Sequence, residues 1–172
     1  TKVSLLSTAA NMLPLPGGLL VRTASLARAG KGYKQAAWAT VVSSGVWLGT
    51  CISFSGLFAR MFNLALGNVF VFTGAVILSA ALFALWRRSG LRRSPLLVVT
   101  ELSIVCFAAV RFLLALWILG GSPTFSQAAV LTVSNVAGSV IGIVPSGIGL
   151  NEYLAGLIAT VAALTPSEGF LA

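Results

Sequence analysis

The run AAWATVVSSGVWLGTCISFSGLFARMFNLALGNVFVFTGAVILSAALFALW, residues 36–86, holds a single charged side chain, Arg60. On each side of Arg60 the apolar stretch reaches the ~20 residues, at ~1.5 Å each, that a helix needs to cross a bilayer. Residues 36–58 and 64–86 are therefore expected to be two spanning helices joined by a tight turn. A third stretch, 96–119, has the same length and carries Glu101 and Arg111. A fourth, 125–144, is apolar and rich in small residues, and runs into Pro145-Ser146-Gly147-Ile148-Gly149. Beyond that break, 151–164 resumes as a helix too short to cross.

The N-terminal end repeats this pattern. Residues 3–13 are apolar, Pro14, Pro16, Gly17 and Gly18 break them, and 19–29 resume with Arg22 and Arg28. Both breaks read Pro-small-Gly-aliphatic-x-aliphatic. With three crossings between them the two broken elements face opposite ways, as in an inverted repeat with two re-entrant hairpins. The expected fold is all-α: one polytopic membrane domain over 1–172, with a first broken hairpin at 1–34, three spanning helices at 35–119 and a second broken hairpin at 124–165. Both ends lie in apolar sequence and the first residue is not Met, as expected of an excerpt from a longer chain.

Composition supports the membrane assignment and removes other classes. Hydrophobic residues make up 58% of the 172 and charged residues 8%, against about 25% charged in soluble domains. The net charge of +8 comes from cations placed between apolar runs, which is the signature of membrane topology rather than of nucleic-acid binding. There is no His and no Asp, so Ser-His and Cys-His nucleophiles, Asp dyads and His-based metal sites are out of reach. Neither enzymatic activity, a catalytic residue, a metal nor a cofactor is expected. Cys51 and Cys106 sit inside apolar runs and read as small buried hydrophobes. The 22–34 region, with Arg22, Arg28, Lys31 and Lys34, and the 87–95 loop, with Arg87, Arg88, Arg92 and Arg93, belong on the cytoplasmic side. The turns near Arg60 and at 120–124 belong outside.

Three features nominate a binding site. Half-helix N-termini offer free N–H donors and partial positive charge to an anion, and Gly18, Gly147 and Gly149, beside Pro145, let backbone approach a ligand closely. Arg111 lies about 21 Å into its segment. A charge at that depth is expected to face the protein interior, with outward snorkelling as the alternative. Glu101, about 15 Å away on the same helix, is too distant to pair with it and is expected nearer the cytoplasmic edge. Glu152, in the first turn after the second break, is the candidate partner. Arg22 follows the first break and reaches a phosphate there, and Asn151 satisfies backbone groups at the second.

Residues 142–152 resemble the P-[GS]-G-[IL]-G-x-x-E signature of the lysylphosphatidylglycerol synthase transmembrane region, a family of flippase-like integral membrane proteins. Pro14, Gly18 and Arg22 are similar to its earlier P-x-R-x-G-E-x-x-R element, with Pro16 and Leu19 standing where the family has Arg and Glu. The resemblance follows segment order and spacing over nearly the whole chain. It implies a multi-pass protein of a bacterial or archaeal cell membrane. In the synthases this region flips an aminoacylated phosphatidylglycerol, while a separate soluble domain performs aminoacyl transfer. The expected function is translocation of an anionic or phosphate-bearing membrane lipid, with Arg22, Arg111, Glu152, Gly18, Pro145, Gly147, Gly149 and Asn151 as its site. The alternatives are a membrane scaffold anchoring a soluble transferase domain, and a small-solute transporter. Lipids are the expected partners; nucleic acid is not.

Overall fold

A computed structural model of the chain describes residues 24, 32–89, 94–141 and 150–171. Every regular element among them is a helix: α1 (Tyr33–Ala59), α2 (Leu64–Ser89), α3 (Ser94–Ile118), α4 (Phe125–Ile141), α5 (Leu150–Val161) and α6 (Pro166–Leu171). Three of them, α1, α2 and α3, are long and apolar enough to cross a membrane. They coincide with the three expected spans. The first broken hairpin, expected over 1–34, falls almost wholly outside the described residues, and with it the inverted repeat.

The turns at one end of the bundle are built from local chemistry. Asn63 caps α2 by accepting a hydrogen bond at Oδ1 from the Leu66 N–H, 3.1 Å. Gly120, at φ 84°, ends α3 in the left-handed region. There the Gly120 N–H donates to the Trp117 carbonyl and the Gly121 N–H to the Leu116 carbonyl, at 3.0 and 3.1 Å, the paired bonds of a Schellman stop. Thr124 and Gln127 then form a capping box for α4: the Gln127 N–H donates to Thr124 Oγ1, and Gln127 Oε1 accepts from the Thr124 N–H at 2.7 Å. The same device recurs after α5. Ala163 takes φ 55°, the Leu164 N–H donates to the Ala159 carbonyl at 2.9 Å, and Thr165 with Glu168 boxes the start of α6.

Helices α1 and α2 form an antiparallel hairpin sealed by small residues. A methyl group added at Gly49 would stand 2.6 Å from the Leu78 backbone nitrogen, and one at Gly56 2.7 Å from that of Val71. The backbones meet where side chains are missing, as membrane helices pack when lipid offers no hydrophobic drive for association. In α2 the buried residues among those described are Gly67, Gly74 and Ala81, one every seven. The rest of that helix is an exposed or half-exposed apolar surface.

Helix α4 is the centre. Residues 128–134 are all buried, through nearly two turns, so neighbours enclose it on every side. Those neighbours are α1, α3 and α5. Phe112 and Leu116 of α3 pack on Ala128 and Leu131, with Ala159 of α5 in the same cluster. Val130 meets Ala59 and Ala162. Polar contacts tie α1 to α4: Ser55 Oγ lies 2.8 Å from Thr132 Oγ1, and Cys51 Sγ donates to the Thr132 carbonyl at 3.4 Å.

Candidate functional site

Helices α4 and α5 run antiparallel, and their outer ends are tied together. Gln127, already part of the α4 capping box, donates through Nε2 to the Ala162 carbonyl at the end of α5, 3.2 Å away. The pair enters and leaves at one end of the bundle, the end that also carries the α1–α2 turn. Ser126 Oγ contacts Met61 Sδ there at 3.4 Å, and the Phe58 and Phe125 rings meet edge to face at 5.5 Å. With 12 residues, α5 is about 18 Å long, well short of a ~30 Å hydrocarbon core.

Glu152 lies in the first turn of α5 and is half-buried. An acid at a helix N-terminus complements the partial positive charge of its free N–H groups. Ten residues separate Glu152 from Ala162, about 15 Å along the axis. Asn151 is helical in the same turn. Gly18, Arg22, Pro145, Gly147 and Gly149 lie outside the described residues.

Arg111 stands where its sequence depth did not lead one to expect it. It is exposed, on the apolar outer side of α3 shared with Phe107, Val110, Leu114 and Ile118. Its guanidinium carbon lies 5.3 Å from the centre of the Phe112 ring. Seven residues, about 10 Å, separate it from the end of α3, within reach of a side chain that buries its stem and sends its charge outward. The reason for the difference is angular. The buried face of α3 is Glu101, Val105, Ala109, Phe112 and Leu116, and Arg111 is one step, about 100°, off it. Phe112 and Leu116 of α3 share a core cluster with Ala159 of α5, about 10 Å along α5 from Glu152.

Glu101 is the acid that the sequence reading undervalued. It is 8% exposed, on the inward stripe of α3, seven residues from the start of that helix. Spacing carried the signal: Glu101 continues the 105, 109, 112, 116 series by one turn. Cys51 and Cys106 are both free thiols, Cys51 buried and Cys106 half-buried.

No protein-family model, curated protein or solved structure matches this chain.

Proposed function

We propose that the chain is a multi-pass protein of the cell membrane that moves an anionic or phosphate-bearing lipid between leaflets. The observation that carries this reading is the enclosure of α4 by α1, α3 and α5, with α5 returning to the end where α4 begins. Backbone interrupted at membrane depth is tolerated where protein or a wet cavity surrounds it, and an enclosed hairpin with one short arm meets that condition. In a re-entrant arrangement the break at 142–149 lies near mid-membrane, because Glu152 is about 15 Å from the outer end and the hydrocarbon core is ~30 Å thick. The resemblance of residues 145–152 to the flippase-like signature points the same way.

The lipid phosphate is received by the backbone around Gly147 and Gly149 and by the N-terminus of α5. Arg22 and Gly18, from the earlier Pro-Gly element of the sequence, are the second proposed source of contacts to it. Glu152 accepts hydrogen bonds from hydroxyl or ammonium groups of the headgroup. Arg111 meets the phosphate earlier, at the outer leaflet, from its exposed position on α3. The acyl chains remain in lipid while one hairpin rocks against the other.

The test is leaflet exchange in vesicles carrying the full chain, with fluorescent anionic and zwitterionic lipids and an impermeant quencher. Protein-dependent exchange of the anionic lipid is expected. Glu152→Gln should slow it by about tenfold or more, the effect of losing about 1.4 kcal/mol of transition-state stabilisation, with helix content unchanged by circular dichroism. Absence of exchange for every lipid would leave the scaffold reading. Uptake of a soluble anion without lipid exchange would establish a solute transporter.

A further inference from the structure

Helix α2 lies at the edge of the bundle, and its outer face ends in a cluster of aromatic and basic side chains. The Arg87 guanidinium carbon sits 5.7 Å from the centre of the Phe83 ring, and Phe83 packs on Trp86 with ring centres 5.8 Å apart. Phe83 and Trp86 are about half exposed, at 55% and 50%. Positions 83, 86 and 87 fall on one helical face, being three and four apart. The same face continues down the helix as exposed Val76 and Phe72. From Phe72 to Phe83 is about 16 Å along the axis, close to the ~15 Å depth of one hydrocarbon leaflet. Arg88 follows directly in the sequence, and Arg92 and Arg93 come four and five residues after it.

We infer that this face is a binding site for an anionic phospholipid of the leaflet at the basic end of the bundle. The inference does not depend on the translocase reading. An apolar strip one leaflet long, closed by a cation and an amphipathic ring, has the polarity profile of a phospholipid. The acyl chains lie along Phe72, Val76 and Phe83, and the phosphate meets Arg87. Trp86 takes the headgroup level, where indole is favoured in membranes. A topology determinant needs only the charge. Here the guanidinium also lies over the Phe83 ring, a contact through its face that leaves its N–H donors able to meet an anion. Such clusters attract anionic lipid by about fivefold in affinity per basic residue near the surface.

The test uses the full chain with Trp38, Trp47 and Trp117 replaced by Phe, so that Trp86 reports alone. It is reconstituted in vesicles of phosphatidylcholine and phosphatidylglycerol, with one or the other lipid brominated as quencher. At equal mole fraction the brominated phosphatidylglycerol should quench more strongly, with a relative binding constant of about five or more. Arg87→Gln with Arg88→Gln should bring that constant to about one, and Arg87→Lys with Arg88→Lys should keep most of it, since the charge survives. A companion chain retaining only Trp117 should show no such preference. Free inorganic phosphate should not compete. If the substituted chains fail to insert, raising ionic strength from about 0.05 to about 0.5 M should lower the constant in the Trp86-only chain through screening. A constant of one before the arginine substitutions would overturn the inference. So would a preference that survives the glutamine substitutions or high salt, or one that free phosphate abolishes.

Discussion

Ala163 occupies the left-handed position that ends α5, with φ 55°, where its counterpart after α3 is Gly120. A residue with a β-carbon in that region is disfavoured by about 1–2 kcal/mol, and glycine is not. Ala163→Gly should therefore stabilise the chain by about 1 kcal/mol, after the extra freedom of glycine in the unfolded state is subtracted. Reversible unfolding in detergent micelles would measure it, and a loss of stability would contradict the Schellman assignment. Gly49 makes the opposite prediction. Any side chain there meets the Leu78 backbone within 3 Å, and a backbone cannot move aside as a rotamer can. Gly49→Leu should destabilise the α1–α2 hairpin by about 3 kcal/mol or more, seen as a lower unfolding midpoint and as lost cross-linking between cysteines placed at Gly45 and Ala81. An unchanged midpoint would show that the two helices are not in close contact.

At the level of elements, the short helix α6 depends on its cap. Glu168 Oε2 accepts hydrogen bonds from the Thr165 N–H at 2.8 Å and from Thr165 Oγ1 at 2.7 Å. The backbone bond first, and the hydroxyl bond second, hold its carboxyl below the ordinary carboxylate value. A group whose folded pKa is depressed stabilises the folded state fully above its unfolded value, and that contribution is lost as the pH falls through the folded value. The docking of α6 on α5 should thus be intact at neutral pH and loosen as the pH drops through and below the normal carboxylate range. Hydrogen exchange at the amides of residues 168–170 should report it. Glu168→Gln should flatten this pH dependence, because glutamine accepts similar bonds without titrating. A wild-type profile as flat as the variant's would remove Glu168 from the cap.

For the whole molecule the testable property is orientation. Residues 34 and 87–88 belong to the end opposite the α3–α4 turn at 119–124, because α1, α2 and α3 alternate in direction. The positive-inside tendency puts the basic end in the cytoplasm. Cysteines introduced at Ser89 and Ser122, with Cys51 and Cys106 replaced by Ala, should label from opposite sides of the membrane with an impermeant reagent. Labelling from one side would refute the three-crossing arrangement.

The helices α1, α2 and α3 were legible because membrane insertion acts on local composition: some twenty mostly apolar residues, with two charges in α3 and none in residues 36–58 or 64–86, have one favourable state, and tertiary contacts are not needed to select it. What the chain's order could not reveal is which face of each helix turns inward. Depth along an axis follows from counting residues, but the angle around it is settled by the neighbours that pack there. Arg111 and Glu101 lie on one helix ten residues apart, and counting nominated Arg111 as the inward charge. Packing instead selected the stripe from Glu101 to Leu116, with Val105 beside Cys51 of α1 and Phe112 and Leu116 on Ala128 and Leu131 of α4, and left Arg111 outside. The central place of α4 was hidden in the same way. Its residues 128–134 are small or aliphatic, with only the hydroxyls of Thr132 and Ser134 as polar side chains, a composition that suits contact with lipid as well as burial in protein, and only the convergence of α1, α3 and α5 decided for burial.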